Sequence, residues 1–322
     1  SSFLYFKKAE EQLKANETEL AAQSLETGLT LDAGGGESRH IGRCYLLDER
    51  EECGDKHRSF NLLVNIYESL GEARALEGYE RIMRNRPEIE SEVRYNKGRY
   101  YQLIGEYDKA LEVFEKLEGI LELKEQTPIL VNIGNIYKEK GMLAHAEDSY
   151  KAAMRSDDVN YPNNDMERSA ETRLGMVEVY IETGRYEEAK EFLRLVELSR
   201  VYIESTGFIT RSMGFTDRAK SLDSRLRSSL ESGDYRAYVA GLKLYEIGEF
   251  EASAKSLESS LQLNLVDAAA RQSLQLLSKV YNELGHVRAY AGYEEIIQGG
   301  AKDISSFLYF KKAEEQLKAN ET

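Results

Sequence analysis

The sequence predicts an all-α fold, a right-handed superhelical solenoid of about eight antiparallel helical hairpins. Three observations carry that prediction. A pattern of small, aromatic, glycine, alanine and aromatic positions recurs along the 322 residues, and its two clearest copies lie 36 residues apart without a gap. Helix-favouring Ala, Leu, Glu, Lys and Arg are abundant, whereas prolines number three, Pro87, Pro128 and Pro162, so little interrupts a helix. Apolar residues make up 41 %, enough to bury a core, and no stretch reaches the roughly twenty apolar residues of a membrane span.

Taken in order, the first hairpin runs from Phe3 to about Asp32, turns at Asn16 and places Ala9, Ala21 and Leu25 at close-packed positions. A loop insertion near residues 33–56 follows, rich in glycine at Gly34 to Gly36. "LLVNIYESLGEARALEGYERI" then supplies Tyr67, Gly71 and Ala75. The two clearest copies come next: Gly98, Tyr101, Gly105, Ala110 and Phe114 correspond to Gly134, Tyr137, Gly141, Ala146 and Tyr150. Gly98 and Gly134 let a first helix lie close to a second. Gly105 and Gly141 end the first helix, since glycine takes the left-handed C-cap conformation without strain. A second insertion near residues 156–165 carries the loop composition "SDDVNYPNND". Further turns fall at Gly184, Gly248 and Gly285, with a weaker copy around Thr206 to Leu226 turning at Gly214. Each hairpin leaves an apolar face that only a neighbouring hairpin covers.

This order of positions resembles the tetratricopeptide repeat family, and the resemblance covers most of the chain. It implies a concave groove lined by first-helix residues that grips an extended or helical segment of a partner protein, with no cofactor. The positions that fall on this groove are Asn61, Asn65, Tyr95, Arg99, Asn132, Asn135, Lys138, Glu178, Lys279 and Asn282. Asparagine and arginine bond a peptide backbone without reading its side chains, which leaves Tyr95 and its neighbours to confer selectivity. Each of these positions is equally readable as a solvated polar residue. "NIGNIY" at Asn132 to Tyr137 is similar to the asparagines with which members of the family hold long peptides. The paired lysine and asparagine clamp for chain termini is not complete in this sequence.

The chemistry-bearing residues point away from catalysis. There is no phosphate-binding loop, no G-x-S-x-G elbow and no H-E-x-x-H, so the sequence predicts a non-enzymatic scaffold. His40, Cys44, Cys53 and His57 are spaced H-x3-C-x8-C-x3-H, which matches no common zinc pattern. They read as part of a loop with no metal assigned, the lesser alternative being two i, i+4 pairs that together complete a zinc tetrahedron. The net charge of −14 argues against a nucleic-acid surface and mildly favours a basic partner, with plain solubility as the simpler account. Without a membrane span or an apolar leader, the expected location is the cytoplasm.

Two duplications remain. "SLETGLTLD" at Ser24 to Asp32 is similar to "SLESSLQLN" at Ser256 to Asn264, and Tyr67 to Ile82 is similar to Tyr281 to Ile296. The first hairpin pair therefore reads as a diverged copy of the last. Separately, the eighteen residues of 1–18 recur without change at 305–322. The second copy lies in phase with the repeat, so beside the superhelix of residues 1–304 it reads as a cap or as an assembly helix through which chains join head to tail. Such a copy arises in a tandem array, by grafting, or by joining two sequences; a grafted or designed end is preferred, because natural caps diverge from the repeats they cover.

Overall fold

A computed structural model describes residues 2–31, 54–160, 170–205, 213–263, 268–298 and 305–320. Among them are sixteen α-helices and no strand. The chain divides into two compact units, Ser1–Met176 with Leu195–Thr216 and Val177–Arg194 with Asp217–Thr322.

The first unit contains α1 (Ser2–Lys14), α2 (Thr18–Leu31), α3 (Gly54–Leu70), α4 (Glu72–Asn85), α5 (Glu90–Leu103), α6 (Tyr107–Glu118), α7 (Thr127–Glu139) and α8 (Leu143–Asn160). Helices α9 (Ala170–Glu182) and α10 (Tyr186–Ser205) each contribute to both units. Helix α11 (Met213–Glu231) begins in the first unit and continues in the second. Then follow α12 (Gly233–Glu246), α13 (Phe250–Leu263), α14 (Ala268–Leu284), α15 (His286–Gln298) and α16 (Ser305–Asn320).

Seven of the eight expected turn positions have positive φ: Asn16 at 60°, and Gly71, Gly105, Gly141, Gly184, Gly248 and Gly285 between 71° and 89°. At Gly105 the chain closes the helix with two bonds, Glu106 N to Tyr101 O at 2.9 Å and Gly105 N to Gln102 O at 3.2 Å, the pair that satisfies the last carbonyls. Gly141, Gly184, Gly248 and Asn16 repeat this pairing. Gly71 and Gly285 instead make one bond each, to Tyr67 O and Tyr281 O. The two diverged copies thus share a turn type that sets them apart from the others.

Three expectations shift. Gly214 lies inside α11, so the turn expected there is absent; a glycine ends a helix only where the backbone leaves it through the left-handed region, and here the chain stays helical. Helix α8 runs to Asn160, five residues into the stretch expected as the second insertion, and α3 begins at Gly54, inside the first.

Close approach explains the small positions. A Cβ on Gly98 would lie 2.6 Å from the Phe114 ring, and one on Gly134 would lie 2.7 Å from the Tyr150 ring. The aromatic of each second helix fills the space that the missing side chain leaves, so hairpin and glycine specify one another. Around these contacts the first unit buries Leu25, Phe60, Tyr67, Tyr79, Tyr100, Phe114 and Ile129. The second has its own core of Leu257, Leu261, Leu277, Tyr281, Tyr293 and Ile296.

Candidate functional site

In the first unit α3 packs on α5, and α5 on α7. These are the first helices of successive hairpins, and the expected groove residues of that unit fall on them. Arg99 on α5 donates through Nη1 to Asn61 Oδ1 on α3. Asn61 Nδ2 lies 2.9 Å from His57 Nε2, one turn earlier on the same helix. From α7, Asn132 Nδ2 donates to the Tyr95 hydroxyl at 2.9 Å and to Pro128 O at 2.8 Å. Polar side chains 37 and 38 residues apart therefore bond across neighbouring helices, one pair joining α3 to α5 and the other α5 to α7.

The members differ in exposure. Asn65 is exposed, and Asn61, Arg99, Asn132, Asn135 and Lys138 are half-buried. Tyr95 departs from its expected selectivity role: it is only 2 % exposed, with its ring 5.9 Å from that of Phe114. It serves instead as a fixed acceptor for Asn132. Asn135 accepts from the Tyr150 hydroxyl at 2.6 Å, which ties it to the second helix of its own hairpin.

In the second unit Glu178 on α9 accepts from Arg218 Nε on α11 at 2.8 Å, a half-buried ion pair. Lys279 and Asn282 are exposed on α14, and among the described residues neither is drawn into a row like that of α3, α5 and α7. His40, Cys44 and Cys53 lie outside the described residues. His57 is buried on α3, and among the described residues no group of three His, Cys, Asp or Glu is placed to hold a metal ion.

Two buried clusters went unmarked as sites in the sequence. The Tyr67 hydroxyl donates to Glu26 Oε1 at 2.8 Å, and Arg74 and Arg81 reach the same carboxylate at 2.7 and 2.9 Å. In the second unit Tyr281 donates to Glu258 at 2.6 Å, and Arg288 lies 2.8 Å from it. A Cβ on Gly78 or on Gly292 would sit 1.8 Å from the tyrosine oxygen, so both glycines are required by the hydroxyl. Burial first, then the adjacent carboxylate, pushes each of these tyrosines far above its ordinary value. Burial opposes the charge on Arg74, but Glu19 and Glu26 outweigh it and hold the guanidinium protonated. Glu26 and Glu258 are 2 % and 4 % exposed. With the carboxylates and tyrosine hydroxyls buried and bonded to each other, these clusters join hairpins rather than act on a substrate. The diverged duplication was the sequence signature of both.

A hollow of about 460 Å³ in the first unit is ringed by Arg94, Lys97, Lys109 and Lys116. Glu90, Glu72 and Glu112 pair with Arg94, Lys109 and Lys116 at 2.5 to 2.8 Å, which makes it an ion-paired surface rather than an anion site.

Residues 91–120, 127–160 and 170–197 each match the family model of the tetratricopeptide repeat. These three segments carry tetratricopeptide repeats. The first two matches take in the hairpins α5–α6 and α7–α8, and the third begins with α9. Tetratricopeptide repeats build protein-interaction scaffolds, and α5 and α7 are the first helices of two matched repeats. Among solved structures the chain is similar to the TPR-like repeats of a kinesin light chain from Podosopora anserina, at 16 % identity and a TM-score of 0.40, over 62 % of this chain and 94 % of that one. It is also similar to a chain of the APC/C hetero-tetramer Cut9–Hcn1, at 14 % identity and a TM-score of 0.38, over 98 % of this chain and 56 % of that one. No curated protein sequence matches. No helix among the described residues is long and apolar enough to cross a membrane.

Proposed function

We propose that the chain is a non-enzymatic scaffold that holds an extended segment of a partner protein along α3, α5 and α7. The observation that supports this reading is a pair of polar bonds across three consecutive first helices, Arg99 to Asn61 between α5 and α3 and Asn132 to the Tyr95 hydroxyl between α7 and α5. Groups already fixed by their neighbours lose little freedom when a ligand arrives, so less of the interaction energy is spent on ordering them. A carboxamide offers a donor and an acceptor, which suits the alternating N–H and C=O of an extended backbone. In this reading Asn65 and Lys138 meet the segment at the exposed side of the row, and Asn135 extends it along α7. Glu178, Lys279 and Asn282 would serve a separate stretch of partner in the second unit. The overall charge of −14 favours a segment with basic residues outside the row, through long-range attraction.

The test is selection of peptides from a displayed random library on the intact chain, followed by affinity measurements on Asn61→Ala, Arg99→Ala and Asn65→Ala. A loss of about tenfold or more, equivalent to about 1.4 kcal/mol, is expected for peptides held by the row, while Lys279→Ala leaves them unchanged. Selected peptides that bind all variants alike would remove the row from the binding surface.

A further inference from the structure

The eighteen residues repeated at 1–18 and 305–322 form α1 and α16, and the two helices use opposite faces. In α1 Phe6 and Ala9 are buried, at 9 % and 0 % exposure, and this face packs on α2 and α3. Leu4, Lys7, Lys8 and Glu11 are exposed, Leu4 to 66 %. In α16 the assignment reverses. Leu308, the counterpart of Leu4, is fully buried, while Phe310, the counterpart of Phe6, is 66 % exposed and Ala313 is exposed too. Helix α16 packs on α15. There Lys312, the counterpart of Lys8, bonds Glu294 at 3.2 Å and lies 4.9 Å from the Tyr290 ring. Glu315, the counterpart of Glu11, bonds His286. Residues four, seven, eight and eleven of the shared sequence form one stripe, residues six, nine and thirteen the opposite one.

One sequence therefore carries two docking faces, and each copy has one of them covered. The bare stripe of α1 is, residue for residue, the stripe that α16 buries on α15. We propose that α15 is a docking site for α1 of a second copy of the chain, and that α16 occupies this site within its own chain. In the joined state a single helix lies between two molecules. Its Leu4, Lys8 and Glu11 face rests on α15 of the first, with Lys8 on Glu294 and Glu11 on His286, and its Phe6 and Ala9 face stays on α2 of the second. The contact is heterologous, head to tail, so repetition of it generates a ring or an open filament.

The covalent link decides the resting state. A tethered helix competes at an effective concentration of order mM, and exchange of α16 for α1 of another chain swaps one set of contacts for the same set. The intact chain consequently stays monomeric until α16 is released. Releasing it bares Leu-sized apolar surface on α15 that only an equivalent helix covers with both its ion pairs.

The experiment uses the full chain and light scattering over a wide range of concentration. Wild type is expected to remain a monomer. Leu308→Asp places a carboxylate in the buried contact and undocks α16, so its mass should rise with concentration. Adding Leu4→Asp, at a position 66 % exposed in the folded monomer, should return that variant to the monomer and lower its association constant by about tenfold or more, the scale of one lost apolar anchor. Should Leu308→Asp fail to fold by circular dichroism, Lys312→Glu loosens α16 by removing its contacts with Glu294 and Tyr290 and should give the same ordering of variants at higher concentration. A folded but monomeric released variant overturns the proposal. So does assembly that Leu4→Asp leaves unchanged.

Discussion

Tyr235 lies against Tyr186 with ring centroids 4.6 Å apart, and burial first, then Glu187, pushes its hydroxyl up to about 12. An unfolded tyrosine ionises near 10. Below that value both states keep the proton and the packing stabilises in full. Between about pH 10 and 12 the unfolded chain has released the proton that the folded one retains, so stability falls as pH rises through that window. Tyr235→Phe keeps the ring and removes the titration. Urea denaturation on either side of pH 10 should show a shallower alkaline decline for the variant and little change at neutral pH; an identical slope would mean that the hydroxyl does not titrate in this window. At this scale the sequence was only partly legible. Asn61 and Arg99 were found because each lies one repeat period from another groove position, Asn61 from Tyr95 and Arg99 from Asn65, and period is visible in a sequence. The burial of Tyr95 was not, because a tyrosine at a first-helix position reads alike whether its ring faces a groove or Phe114.

A helix is a choice of face as well as a pattern, and α1 and α16 separate the two, since sequence is held constant. Phe6→Ala should cost about 3 kcal/mol, as expected for a large side chain removed from a core, whereas Phe310→Ala, at an exposed position, should change stability by less than about 0.5 kcal/mol. Leu308→Ala and Leu4→Ala should show the reverse order. Denaturant melts followed by hydrogen exchange on each helix would check all four, and equal costs for the two phenylalanines would contradict the opposite orientations. Elements of this kind were legible wherever local chemistry determined them. Glycines at Gly105, Gly141, Gly184, Gly248 and Gly285 all close helices, because positive φ is costly for other residues. Gly214 misled for the same reason: composition marks where a helix is able to end, and neighbouring packing decides whether it does. Which stripe of a two-faced helix is buried depends on the partner, so no reading of eighteen identical residues distinguishes the copies.

The whole molecule repeats one buried device in two compact units, Tyr67 with Glu26 and Arg74 in the first, Tyr281 with Glu258 and Arg288 in the second. In stacked repeats stability is a sum of local terms, each shared only with neighbours. Removing one hydroxyl should therefore weaken its own stack and spare the other. Tyr67→Phe leaves the Glu26 carboxylate with one donor fewer in a buried site, a loss of about 2 kcal/mol for a bond to a charged group. Hydrogen exchange is expected to quicken in α2, α3 and α4 while α13, α14 and α15 keep their rates. Tyr281→Phe should do the opposite, and the double variant should show both changes added, since distant sites without shared partners are independent. Quickened exchange in both units from either single variant would instead make the chain one cooperative body, with the two clusters coupled through the helices between them. The separate outcome follows from the contacts themselves: Glu26 is held by Tyr67, Arg74 and Arg81 of the first unit, and Glu258 by Tyr281 and Arg288 of the second.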